Sequence, residues 1–364
     1  MKKICVIGDC HFKHDNKLET DMMHSQIINI LKNDNFDFVV ILGDTLHKHE
    51  KIDMFPLDRA IKFLKDIKNV SNKLYLLIGN HDRPNNNDFL TDKHPFNSLK
   101  EWDKTKIVDE VVVEDGFCFV PYVPVGRFME AIKDVELSNI RCVFSHQEYS
   151  GCKINNLIKS DADKWEEYYP LNISGHIHDF EIVQKNLIYI GTPFQHSFSD
   201  SSDKSISIFS FSPSSSSSLI EIEKEKEKEN ENITHKRIYL NIQKKIELVL
   251  TIEEFLKFSP SDSRSSSKEE EQDIESEREN IKYKIKLCGR SNEIKATLSL
   301  KNIDEMIKKY GLIIIPVSND LSIDNNKLTI SDIELYQKMK LKDKIYSKIN
   351  SNVNLIEIFK QIKK

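Results

Sequence analysis

The chain has 364 residues, with 53 Lys and Arg against 58 Asp and Glu, for a formal net charge of −5. With 39% hydrophobic residues and a mean hydropathy of −0.47, it is long enough for one sizeable core plus a smaller second domain. No apolar stretch approaches the roughly 20 residues of a membrane span, so the composition speaks against a helical membrane protein. The acidic balance gives no sign of nucleic-acid binding, yet the average includes an acidic linker and does not exclude it.

Met1, Lys2 and Lys3 carry the charge of a secretory leader, but the apolar run that follows, 4–7, stops at Gly8-Asp9. The expectation is a first strand, not a leader. The six cysteines (Cys5, Cys10, Cys118, Cys142, Cys152 and Cys288) show no CxxC spacing. Most lie in or beside apolar runs, as reduced core thiols do in an intracellular protein, cytoplasmic or nuclear.

After the strand at 4–7, Met23, Ile27, Ile30 and Leu31 share one helical face. A strand follows at 38–42, then a second helical face of Leu57, Ile61 and Leu64 with Phe63 and Ile67 nearby, then a strand at 74–78. This alternation predicts an α/β layered domain whose first strands pair in parallel through right-handed crossovers. Further strands near 111–113, 117–120, 142–144, 187–190 and 206–211 have shorter connections and suggest a second, mixed sheet. The compact domain is expected over 1–212. Residues 213–235, with a serine run at 214–218 and Glu and Lys through 221–231, read as a linker or surface loop, since no core is built from them. A small α+β, cap-like module is expected at 236–330. It is interrupted by a polar insertion at 259–280, and Ile281, Tyr283, Ile285 and Leu287 alternate with lysines as in a half-buried strand. Residues 331–364 look like Lys-rich terminal helices.

Five of the apolar runs end in metal-binding residue types. They run into Gly8-Asp9-Cys10-His11, Gly43-Asp44-Thr45-Leu46-His47, Gly79-Asn80-His81-Asp82, Ser145-His146 and Gly175-His176-Ile177-His178. Side chains just past the carboxyl ends of buried strands converge on one crevice in α/β folds. All these donors are nitrogen or oxygen, with no thiolate, which favours Mn, Fe, Zn or Co. Two divalent ions could be held there.

Together, Asp9-x-His11, Gly43-Asp44, Gly79-Asn80-His81-Asp82, His146 and Gly175-His176-x-His178 resemble the calcineurin-like metallophosphoesterases over roughly residues 1–212. That resemblance implies a layered αββα sandwich and two divalent metal ions, Mn before Fe, Zn or Co. One ion takes Asp9, His11, Asp44 and His178; the other takes Asp44, Asn80, His146 and His176; Asp44 bridges them. A water shared by such ions loses a proton near neutral pH and attacks phosphorus. His81, next to a ligand but not one, is the candidate for protonating the leaving oxygen. Asp82 either orients it or is a turn residue beside the motif.

Gly43-Asp44-Thr45-Leu46-His47 lacks the Asp-Arg-Gly of the protein phosphatase branch. It is similar to the corresponding block of the SbcD-like DNA repair exonucleases, which implies that His47 aligns the scissile phosphate. Val120-Pro121-Tyr122, and Tyr189-Ile190-Gly191-Thr192-Pro193 followed by Ser197-Phe198, are similar to that branch too. So is the order of catalytic domain, small module and terminal helices, which implies nucleic acid as substrate and docking of an SMC-like ATPase on the helices. The helices could equally pack on the small module. The segment 83–96 is longer than that pattern expects and could be a substrate loop, with Arg83 as a substrate contact and Lys93, Lys100 and Lys104 near phosphates. A small-molecule phosphoesterase acting on nucleotides or cyclic nucleotides is the alternative reading. An inactive scaffold is a third, though every ligand type is present.

Overall fold

The computed structural model describes residues 1–49, 51–154, 158–212, 233–260 and 281–318. Strands β1 (Lys2–Ile7), β2 (Phe38–Ile41), β3 (Leu74–Leu77) and β4 (Thr105–Val108) lie side by side in parallel. The crossovers carry α1 (Lys17–Asn33) and α2 (Met54–Val70), which cover one face. Met23, Ile27 and Leu31 of α1, and Ala60, Phe63, Leu64 and Ile67 of α2, join a core with Cys5, Ile7, Val39 and Ile41 of the sheet. Asp53 caps α2, its carboxylate accepting the Phe55 N–H at 3.2 Å.

The alternate residues of the same strands, Ile4, Val6, Phe38, Val40, Tyr75 and Leu77, point the other way and meet a second sheet. That sheet is built from β5 (Val112–Glu114), β6 (Phe117–Val120), β7 (Cys142–His146), β10 (Leu171–Gly175), β11 (Glu181–Gln184) and β12 (Leu187–Tyr189). A short antiparallel pair, β8 (Lys153–Ile154) and β9 (Ile158–Lys159), stands outside it. The order is β11-β12-β10-β7-β6-β5, with parallel pairing from β12 through β6 and antiparallel strands at both edges. Phe119 stacks on Tyr75 across the sheets with centroids 3.9 Å apart. The outer face of this sheet packs under loops and the short α3 (Phe128–Ala131), around Tyr149, Trp165 and Tyr189. The result is the expected α/β sandwich.

One strand sits elsewhere than the sequence suggests. β13 (Ile206–Phe211) was expected in the second sheet, but it pairs antiparallel with β1 in the first. There it closes an edge that would otherwise be open, with Ile206 and Ile208 toward the helices and Phe209 and Phe211 toward the inter-sheet core. β14 (Ile233–Ile238) pairs with β13 in turn, so the first sheet takes in residues beyond 212, on the far side of the Ser/Glu/Lys run.

The small module has three parallel strands in the order β15 (Lys244–Thr251), β16 (Ile281–Gly289) and β17 (Ile313–Ser318). Helices α4 (Ile252–Lys257), α5 (Ser291–Leu298) and α6 (Lys301–Tyr310) accompany them. Phe255, Tyr283, Ile285, Leu287, Ile294 and Ile303 form its core. It meets the sandwich through Lys245, whose ammonium donates to Gln195 O at 2.8 Å and pairs with Glu19 at 3.2 Å. The terminal helices expected at 331–364, the serine and Glu/Lys runs within 213–232, and most of the polar insertion lie outside the described residues. Among the described residues, no helix is long and apolar enough to cross a membrane.

Candidate metal centre

The carboxyl ends of β1, β2, β3, β7 and β10 meet, and the chain turns there under constraint. His11, Asp44 and His176 have φ of 44°, 47° and 81°. Side chains other than glycine avoid this region, at a cost of about 1–3 kcal/mol each, and it persists where the surroundings fix it. Gly79 explains part of the fit: a Cβ there would lie 2.2 Å from Asp44 Oδ1. Only a residue without a side chain lets the block after β3 close on that carboxylate.

The strand ends bring all seven expected ligands together. His11 Nε2 lies 3.1 Å from His178 Nε2 and 3.6 Å from Asp44 Oδ2. Asp9 accepts the His176 N–H at 2.9 Å. His146 Nε2 lies 3.3 Å from Asp44 Oδ1 and 3.0 Å from Asn80 Oδ1, and Asn80 Oδ1 is also 3.0 Å from His176 Nδ1. Among the described residues three groups of donors lie close enough to share one ion: His11, His47 and His81, and the two that fall within the expected ligand sets, Asp9, His11 and His178, and Asp44, His146 and His176. Asp44 faces both, because its Oδ2 looks to His11 and its Oδ1 to His146.

Backbone carbonyls set the tautomers. His146 Nδ1 donates to Leu42 O at 2.8 Å, and His11 Nδ1 faces Leu46 O at 3.3 Å. A carbonyl only accepts, so the Nε2 lone pairs of both histidines point into the centre. The ionisable groups there shift one another strongly. Burial pushes the Asp9 carboxyl up to about 8, against the pull of His146. Burial also opposes ionisation of Asp44, but His146, His11 and His81 hold it well below the usual carboxylate range. Burial lowers His11 strongly and His176 to about 3, whereas the carboxylates of Asp44 and Asp9 outweigh burial at His146 and raise it to about 9. Carboxylate oxygens and imidazole nitrogens converging in one buried place are the donor types that divalent cations fit, and a bound cation would take the place of the protons on Asp9 and His146.

His81 and His47 stand at the mouth. The His81 N–H donates to Asp44 Oδ1 at 2.8 Å, and its Nε2 lies 4.0 Å from Asp44 Oδ2. The His47 ring is parallel to the His81 ring, with centroids 5.6 Å apart, and its Nδ1 is 3.4 Å from His11 Nδ1. Burial, with Lys13 and His81 adding to it, lowers the His47 pKa to about 4, so it is neutral at physiological pH.

Two expectations need correction. Asp82 does not orient the His81 ring. Its carboxylate accepts the N–H groups of Leu46 (2.8 Å), Gly79 (3.1 Å) and Thr45 (3.2 Å), so it ties the turn after β2 to the turn after β3. Burial, with Asp44 nearby, raises its pKa to about 6. Arg83 is not a substrate contact. It is 2% exposed and donates to Tyr122 O at 2.7 Å and to Asp88 O, which pins the 83–96 segment to the chain after β6. Both of its Nη groups are occupied by carbonyls, while its buried Nε has no hydrogen-bond partner among the described residues. Lys93 and Lys100 are paired with Asp88 (3.7 Å) and Asp109 (2.5 Å).

Other residues join the centre without having been singled out. His196 Nε2 is 3.0 Å from Asp9 O, and its ring lies 4.9 Å from that of His11. Glu148 Oε2 lies 3.9 Å from His176 Nε2; Tyr122, already noted in the Val120-Pro121-Tyr122 block, has its ring 6.0 Å from the His176 ring. The His49 ring lies 4.2 Å from that of His81. His49 and His196 carried a signal in the sequence, each within a few residues of a motif already noted.

A family model described as calcineurin-like phosphoesterase matches residues 2–180. The chain is 41% identical over 211 residues to "Putative phosphoesterase 244L" of Invertebrate iridescent virus 6, covering 56% of this chain and 74% of that protein. It is 42% identical over 212 residues to the like-named 078R of Invertebrate iridescent virus 3, covering 56% of this chain and 61% of that protein. A crystal structure of a Vps29 single mutant from Entamoeba histolytica shares 12% identity at a TM-score of 0.28, over 57% of this chain and 86% of its own. The matched stretch holds the strand ends that carry the histidines and carboxylates. The chain belongs to the calcineurin-like phosphoesterases and is a metal-dependent hydrolase of phosphate esters.

Proposed function

We propose that this chain is a dinuclear-metal phosphodiesterase that cuts nucleic acid, in the manner of a DNA repair exo- or endonuclease of the SbcD-like branch. Asp9, His11, Asp44 and His178 would hold one ion, and Asp44, Asn80, His146 and His176 the other, with Mn the first metal to try and Fe, Zn or Co compatible with the donors. Two such cations, when bound, supply Lewis acidity at phosphoryl oxygens and a water acidified toward neutral pKa.

The protein's own part follows from its histidines. The observation that carries the reading is the pairing of His47 with His81 beside Asp44. An alkoxide leaving from a phosphodiester needs a proton, and His81 presents Nε2 to the cleft for that task. Neutral His47, its Nδ1 turned to His11, keeps Nε2–H to hold a phosphoryl oxygen. Asp82 and Arg83 fix the loops that carry these groups. The resemblance to that branch implies an SMC-like ATPase as the partner of 331–364, where Tyr336, Met339, Ile345 and Ile349 would be the apolar contacts.

The test is hydrolysis with Mn²⁺ of single- and double-stranded DNA, bis(p-nitrophenyl) phosphate and cyclic nucleotides, with Asp44→Ala and His81→Ala alongside. Degradation of DNA that both substitutions abolish supports the proposal. The net charge of −5 favours the second reading, a nucleotide phosphoesterase; activity confined to nucleotides and small diesters would establish that one instead.

A further inference from the structure

We propose that Lys13, Lys48, Lys51 and Phe55 form a shoulder beside the metal centre that grips the strand next to the scissile bond, and that this strand is single. The inference deepens the nucleic-acid reading and rests on it.

The shoulder is an extension of the centre. The Phe12 N–H donates to Thr45 O at 2.8 Å, and Phe12 and Leu46 pair as a parallel bridge. The chain leaving His11 and the chain leaving Asp44 therefore run outward together. A cleft opens between them, lined by Lys13, His14, His47, Lys48, Lys51 and Ile52 among others. His47 belongs to both places: its ring meets that of His11 at 5.1 Å and its side chain walls the cleft.

The charge there is available. Lys48 and Lys51 are exposed and have no ion-pair partner among the described residues, which do not include Glu50. Lys13 is half-buried, with its ammonium 3.4 Å from His196 O and 3.7 Å from the exposed Asp15. The Asp53 carboxylate is already engaged, capping α2 and lying 3.6 Å from His14 Nδ1. Anion binding by free lysines at the edge of a phosphoryl-transfer site is the electrostatic pattern of a polyanion track.

The second observation is apolar. Ile52, Met54 and Phe55 are 52%, 74% and 72% exposed. One exposed hydrophobe is ordinary, but three within one short segment beside lysines need a reason. The Phe55 ring stands 6.2 Å from the His14 ring and has a face open to solvent. A ligand that matches free cations and an open aromatic ring together is a phosphodiester chain with unstacked bases. A duplex keeps its bases stacked inside, and an isolated phosphate offers the ring nothing.

The experiment is fluorescence anisotropy on the full chain with EDTA present, so that nothing is cut. The probes are a fluorescein-labelled oligothymidylate and a duplex of equal length, titrated across a salt series. The single strand should bind more tightly than the duplex. Lys48→Ala with Lys51→Ala should weaken it about 10-fold and flatten the slope of log K against log salt by about 1.4, two contacts at ~0.7 each. Phe55→Ala should weaken it about 10-fold with the slope unchanged. Melting curves of the variants report whether the fold is intact. Variants that are folded and bind as the wild type overturn the shoulder, as does a preference for duplex that Phe55→Ala leaves alone. A protein that cuts single-stranded DNA while these variants bind normally keeps the nuclease reading and loses the shoulder. A protein that binds the strand through these residues yet hydrolyses only mononucleotides does the reverse.

Discussion

His81 Nδ1 lies 2.7 Å from the carbonyl oxygen of His47. The carbonyl only accepts, so it engages Nδ1–H and leaves Nε2, 4.0 Å from Asp44 Oδ2, as the nitrogen free to meet a substrate. Substitution of His81 by Asn should lower kcat on an oligonucleotide by roughly 10²–10⁴-fold. The loss on bis(p-nitrophenyl) phosphate should be much smaller, because p-nitrophenolate leaves without a proton. Equal losses on the two substrates would mean that His81 acts through the metal site and not on the leaving group.

Asp44 reaches the two donor groups with different oxygens, whereas Asn80 faces only His146 and His176. Elemental analysis after dialysis against Mn²⁺ should therefore find roughly two metal equivalents in the wild type, about one in Asn80→Ala and almost none in Asp44→Asn. Chelation should also lower the melting temperature, since an ion at 100 times its Kd adds ~2.7 kcal/mol of stability. A melting temperature indifferent to EDTA and to added Mn²⁺ would remove the metal centre from this account.

The strand ends were legible because a polar residue directly after a buried apolar run has few places to go. Asp9, Asp44, Asn80, His146 and His176 all follow such runs, and the parallel pairing of β1 with β2 and of β7 with β10 does the rest. What arrives from the side was not legible. Glu148 belongs to a loop over the second sheet, and Lys245 reaches Gln195 O and His196 O from the small module. Asp82 and Arg83 look catalytic in sequence because they adjoin a motif, and only burial separates a loop clamp from a substrate contact. The place of β13 was missed because connection length says nothing about which sheet has a free edge.

Arg83 lies over the Tyr122 ring, 5.4 Å from its centroid, as well as donating to the Tyr122 carbonyl. Its truncation to Ala strands two carbonyls and opens a cavity, at about 3 kcal/mol, or roughly 4 °C in melting temperature for a chain of this size. The salt dependence of nucleic-acid binding should not change. A variant with normal melting but a slope smaller by about 0.7 would instead mark Arg83 as a phosphate contact.

His235 stacks on Phe209 with centroids 4.3 Å apart and rings 3° from parallel, and its Nε2 lies 3.0 Å from Ser207 Oγ. Burial, helped by Arg237, lowers its pKa from 6.5 to about 4. Between those values the unfolded chain holds the proton and the folded chain does not, so stability falls as pH drops through this window. From pH 7.5 to pH 4.5 this one group withdraws roughly 2–3 kcal/mol. His235→Phe should keep the stack and remove the titration. Urea unfolding with EDTA throughout should then show the variant losing less stability than the wild type over that interval, by about this amount. Parallel losses in the two proteins would place the acid sensitivity in other buried histidines, of which His196, held well below 6.5 by burial, is the next to test.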